Sequence, residues 1–96
     1  MTETATRTSI ANLTDLKEFV FASLCSENDL ICGEFPTMSA PIYRAGALCG
    51  IMFCVSGPRA TEFTAVWEND KNRVFFYGPT GERTRTVNLS GRVALE

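Results

Sequence analysis

Apolar residues recur at helical spacing near the start of the chain and at alternate positions after it. On a wheel advancing 100° per residue, Leu13, Leu16, Val20 and Leu24 fall in one narrow stripe, with Phe21 at its edge. That pattern predicts an amphipathic helix over residues 13–27. Asn12 precedes the stripe as an N-cap, and Asp15 places negative charge in the first turn, where unpaired N–H groups favour it. Asn28 and Asp29 supply the stop, and Gly33 and Pro36 mark the loop that follows. Phe19 falls outside the stripe, so it either widens the buried face or meets a partner.

From residue 38 the period shortens to two. Residues 38–44 read as an edge strand, where Pro41 is tolerated because an edge need not use every donor. Arg44-Ala45-Gly46-Ala47 is a hairpin turn. Residues 48–55 are almost wholly apolar, as in a central strand covered on both faces. Gly57-Pro58 breaks that strand. Residues 61–68 alternate, with Phe63, Ala65 and Trp67 on one side and Glu62, Thr64, Val66 and Glu68 on the other. Asn69-Asp70-Lys71-Asn72 turns the chain into a strand at 73–77, and Gly78-Pro79-Thr80-Gly81 turns it into a last strand at 83–89. Such short connections imply antiparallel neighbours. The expected fold is α+β: one N-terminal helix packed on an antiparallel β-meander of four to five strands, in two layers. A single domain is expected over residues 12–96, preceded by a Thr-rich, aperiodic and flexible N-terminal arm over residues 1–11.

One helix covers one sheet face. Residues 48–55 are apolar toward both, and Phe75, Phe76 and Tyr77 put aromatics on both. The second face therefore carries more apolar surface than a small monomer leaves in water. A homodimer through the open face or an edge strand is expected.

The run Cys49-Gly50-Ile51-Met52-Phe53-Cys54, Gly57-Pro58-Arg59, Thr64-Ala65-Val66-Trp67-Glu68, Phe76-Tyr77-Gly78 and Gly81-Glu82-Arg83 carries a resemblance. It is similar to a group of small planctomycete proteins that share the pattern CGxxFCxxGPR, TAxWE, FYxxxGER. The likeness covers roughly residues 46–83 and leaves out the helix and the arm. It implies that the meander is one unit and that the protein is bacterial. No activity is attached to the group, so it implies no catalytic residues.

At 96 residues, with 45% hydrophobic and 21% charged positions, the composition suits one globular domain rather than a disordered or fibrous chain. Residues 1–12 hold no apolar run of the kind a signal peptide needs. The longest uncharged apolar stretch, 45–56, is too short for a membrane span. A reducing cytoplasm is the expected location, with the cysteines as thiols.

The sequence holds no histidine, which removes the commonest general base and metal ligand. Of the four cysteines, Cys25 and Cys32 stand seven apart and Cys49 and Cys54 five apart. Neither spacing is the C-x-x-C of zinc knuckles or redox pairs. On a regular strand, five residues also place Cys49 and Cys54 on opposite faces unless a bulge intervenes. All four are expected as small buried hydrophobes, Cys25 and Cys32 being the more exposed, with no metal and no cofactor. No nucleophile elbow, phosphate-binding loop or carboxylate pair is present, so no catalytic residue is assigned and an enzyme is not expected.

Charge is uneven along the chain. Residues 1–40 balance to −4, from Arg7 and Lys17 against Glu3, Asp15, Glu18, Glu27, Asp29 and Glu34. Residues 71–96 balance to +3, from Lys71, Arg73, Arg83, Arg85 and Arg92 against Glu82 and Glu96. Arg59, Arg73, Arg83 and Arg85 lie among Trp67, Phe75, Phe76 and Tyr77, and a sheet that shows arginines beside aromatics can hold stacked bases and phosphates. The turns at Gly57-Pro58-Arg59 and at 78–83 fall at the same end of the meander, where exposed backbone donors can cradle an anion. Ordinary turn chemistry and snorkelling arginines account for the same residues. The function expected is that of a small non-enzymatic interaction or regulatory module, homodimeric, with no membrane association. The alternative is binding of nucleic acid or a phosphorylated small ligand through the basic C-terminal third, at Arg59, Arg73, Arg83 and Arg85.

Overall fold

The computed structural model describes residues 7–31 and 33–94. In chain order the elements are β1 (Arg7–Ser9), α1 (Leu13–Glu27), β2 (Thr37–Arg44), β3 (Ala47–Ser56), a short turn at Pro58–Ala60, β4 (Glu62–Glu68), β5 (Arg73–Tyr77) and β6 (Arg83–Ser90). The strands form one sheet in the order β1-β6-β5-β4-β3-β2. Strands β2 to β6 are the antiparallel meander, and α1 packs on one of its faces.

The helix begins where its cap dictates. Asn12 is extended, and its side-chain oxygen accepts the Asp15 N–H at 2.9 Å. The helix ends in a Schellman arrangement: Asp29 takes a positive φ of 56°, and the Leu30 N–H returns to the Cys25 carbonyl at 2.8 Å. Leu16, Val20 and Leu24 are buried against Phe53, Val55, Ala65, Trp67, Val74, Phe76, Val87 and Leu89. Each of the three helix residues contributes roughly 1.5–3 kcal/mol by leaving water. Phe19 widens this face, edge-on to Phe76 with ring centroids 6.5 Å apart, and Phe21 meets Phe53 edge-on at 5.5 Å. Arg85 joins the sheet to the helix end through an ion pair with Glu27.

Two expectations change. Residues 7–9, placed in the flexible arm, form β1 and run parallel to β6, pairing Arg7 with Asn88 and Ser9 with Ser90. Ile10 is buried, and the Ala94 N–H donates to the Ala11 carbonyl at 2.9 Å. The strand is three residues long, and its sequence, Arg7-Thr8-Ser9, shows no alternation that announces it. The rest of that arm, residues 1–6, lies outside the described residues. The second change concerns β3, which is covered on one face only. Ile51, Phe53 and Val55 face the helix, while Met52 on the other face is half-exposed.

A bulge reshapes the lower part of β3. Ile42 pairs with Gly50 but Tyr43 pairs with Leu48, leaving Cys49 as the extra residue. A Cβ on Gly50 would lie 2.4 Å from the Trp67 carbonyl oxygen. Only glycine fits that approach of β3 to β4.

Candidate functional site

The face away from the helix is the feature left without a structural explanation. Cross-strand partners share a face, so the register assigns its residues: Met38, Ala40 and Ile42 on β2; Gly50, Met52 and Cys54 on β3; Glu62, Thr64, Val66 and Glu68 on β4; Arg73, Phe75 and Tyr77 on β5; Arg83 and Thr86 on β6. Met38 is 56% exposed and Ile42 37%. Met52, Val66, Phe75 and Tyr77 are half-buried by their neighbours alone. No described element crosses this surface.

Charges sit at its two ends. One end carries the turns after β3 and β5, with Glu62 and Arg83. The other carries the turns after β2 and β4, with Arg44, Glu68, Asp70 and Arg73. Arg73 donates to Glu68 at 2.7 Å and lies 4.9 Å above the centroid of Phe75. Arg83 approaches the same ring at 4.1 Å and Tyr77 at 5.8 Å. Two guanidinium groups thus share one ring, each attracted by its electron-rich face.

A concavity of about 320 Å³ opens toward the Arg44 end, lined by Ile42, Cys49, Gly50, Val66, Phe75 and Glu68 among others. The bulge lies at its border, where Cys49 and Gly50 are among the lining residues.

The four candidate arginines do not converge. Arg73 and Arg83 flank Phe75 on the open face. Arg85 occupies the opposite face, over Phe76 at 5.3 Å and paired with Glu27. One residue of the strand separates Arg83 from Arg85 and would ordinarily keep them on one face, but a register irregularity at Phe76/Tyr77 separates them. Arg59 is exposed in the turn at Pro58–Ala60, where it and Ala60 take positive φ values of 59° and 60°.

The second glycine-rich turn provides its own anion. The Glu82 carboxylate accepts from the Thr80 hydroxyl and from the backbone N–H groups of Glu82 and Thr80, which holds it below the usual carboxylate range. Any external anion at this turn competes with that carboxylate.

Cys25, expected among the more exposed cysteines, is buried at the helix end; Cys32 lies outside the described residues. Burial, with the neighbouring Glu62 carboxylate, pushes the Cys54 thiol above its ordinary range, although a hydrogen bond with Thr64 partly offsets this. Among the described residues no three Cys, Asp or Glu side chains gather as a metal site, and no helix is long and apolar enough to cross a membrane. The concavity beside the bulge has only one signal in the sequence, a glycine within an otherwise apolar strand. No protein-family model, curated protein or solved structure matches the chain.

Proposed function

We propose that this protein is a small, non-enzymatic interaction module of the bacterial cytoplasm that works as a homodimer through its open sheet face. One observation carries the reading: one face of the five-stranded meander is covered by α1, while the other presents Met38, Ile42, Met52, Val66, Phe75 and Tyr77 without a covering layer among the described residues. A face of this kind gains free energy when a second layer removes it from water.

The edges are poorer routes to assembly. The Ser56 N–H donates to the Pro36 carbonyl at 2.9 Å. Alternation from that bond turns the backbone of Met38, Ala40 and Ile42 toward β3 and that of Thr37, Ser39 and Pro41 outward. Pro41 therefore removes a donor from the middle of the free edge, a common device against edge pairing. At the other edge β1 has only three residues.

Light scattering from micromolar to submillimolar protein tests the proposal. Twice the chain mass is expected for the wild type and the single-chain mass for Val66→Arg, with unchanged far-UV circular dichroism. A wild type of single-chain mass throughout overturns it.

The Arg73–Phe75–Arg83 stack favours a second reading, in which the same face binds single-stranded nucleic acid or a phosphorylated ligand. Fluorescence anisotropy with a labelled oligonucleotide separates the two. Salt-sensitive binding weakened by Arg83→Ala supports the second reading, and absence of binding at low salt removes it.

A further inference from the structure

The concavity toward the Arg44 end of the open face joins an apolar wall to two unpaired charges of opposite sign. In the cross-strand row Ile42–Gly50–Glu68 the middle position has no side chain, and all three residues line the concavity. Val66 and Phe75, paired across β4 and β5, add apolar surface beside them. The volume of about 320 Å³ lies at the small end of ligand sites, which run from roughly 300 to 1,000 Å³.

Three charged side chains line it: Arg44, Glu68 and Asp70. Glu68 is already paired with Arg73 at 2.7 Å. Arg44 and Asp70 have no ion-pair partner among the described residues, and they do not pair with each other. Both are exposed, Arg44 at the end of β2 and Asp70 in the β4–β5 turn. Strands β2 and β4 stand two spacings apart, roughly 10 Å, which leaves room for a short polar headgroup between the two side chains. We propose that the concavity binds a free α-amino acid with an apolar side chain. Arg44 holds its carboxylate, Asp70 its ammonium group, and Ile42, Val66 and Phe75 its side chain.

The charges select against simpler ligands. Glu68 and Arg73 offset one another, so Arg44 and Asp70 leave the concavity neutral but polarised. A phosphate or a simple carboxylate that meets Arg44 also faces Asp70 and Glu68, and a simple amine that meets Asp70 also faces Arg44. A zwitterion satisfies both with charge-assisted hydrogen bonds. A polar side chain on the ligand finds no partner on the wall of Ile42, Val66 and Phe75 and gains nothing there for the water it gives up. The lining residues all come from one chain, so the proposal goes beyond the homodimer reading and does not rest on it.

Titration of isotope-labelled protein with L-leucine, followed by amide chemical shifts, is the test. Saturable shifts at Cys49, Gly50 and Val66 are expected, with a dissociation constant on the order of 1 mM for so open a site. Isocaproate lacks the ammonium group and isoamylamine lacks the carboxylate; each is expected to bind at least threefold more weakly, the worth of one exposed ion pair. Arg44→Met is expected to weaken leucine and isocaproate but not isoamylamine. Asp70→Asn is expected to weaken leucine and isoamylamine but not isocaproate. Both positions are exposed, so the fold is expected to be retained. Absence of shifts up to about 10 mM leucine overturns the proposal, as do shifts confined to Leu13, Ser39 and Leu48 around the recess between α1 and β2. Affinity for either analogue equal to or above that for leucine overturns it as well.

Discussion

Asn72 is the residue whose replacement tests the internal logic of the fold most sharply. It closes the β4–β5 turn at a positive φ of 51° and makes four hydrogen bonds there, the first from its own N–H to the Asn69 carbonyl at 3.2 Å. Its side-chain oxygen accepts the Trp67 indole N–H at 3.0 Å, its amide nitrogen donates to the Gly91 carbonyl, and its own carbonyl accepts the Leu89 N–H at 2.9 Å. Trp67 is only 1% exposed, so without Asn72 its N–H has little access to water. An orphaned donor of this kind costs about 1–3 kcal/mol, and alanine, which lacks the short polar side chain that lets asparagine adopt the left-handed region, costs about 1 kcal/mol more. Asn72→Ala incurs both, for a loss of about 3 kcal/mol or roughly 15 °C in melting temperature for a domain this size. Asn72→Gly keeps the backbone relaxed and loses only the side-chain bonds, about 2 kcal/mol. Asn72→Asp retains the acceptor for Trp67 and forfeits the donor to Gly91, about 1 kcal/mol. Urea unfolding followed by circular dichroism and by the fluorescence of the single tryptophan gives the order directly. A glycine variant as stable as the wild type would refute the reasoning, because backbone geometry alone would then account for Asn72.

Four further outcomes are expected. Gly50→Ala forces a Cβ to within 2.4 Å of the Trp67 carbonyl oxygen; the β3–β4 ladder must part, and chemical denaturation is expected to show a loss of about 2 kcal/mol or more. Ala60→Gly relieves a φ of 60° in an exposed turn, and calorimetry is expected to show a gain of about 1 kcal/mol, with no change refuting the strain. The Cys54 thiol is buried and held protonated by burial and Glu62. At pH 8 it is expected to react with iodoacetamide at least tenfold more slowly than Cys49 in the folded protein. Since its folded pKa is raised, its contribution to stability is complete below the ordinary value of 9.0 and is lost as pH climbs through the folded value. Stability is thus expected to fall more steeply above pH 9 in the wild type than in Cys54→Ala, as read from denaturation midpoints.

Periodicity determined most of the architecture. The stripe of Leu16, Val20 and Leu24, the Asn12 cap and the alternation of Phe63, Ala65 and Trp67 each commit a local segment to one conformation and one buried side. Short turns then force consecutive strands to be antiparallel, so the two-layer α+β arrangement was legible in the sequence itself. The apolar excess beyond what one helix covers was legible too, because it is a property of counted side chains. The tertiary structure decided whatever depends on register between distant segments. Strand β1 forms through backbone bonds to β6, at the far end of the chain, and its own sequence gives no sign of them. The irregularity at Phe76/Tyr77 sends Arg85 to the helix face and leaves Arg83 stacked on Phe75, so the four candidate arginines do not share a site. The bulge at Cys49 puts that residue and Gly50 at the border of the concavity. A strand's face changes with a single inserted residue, and where that residue is inserted is settled by how the neighbouring strands fit, not by the strand itself.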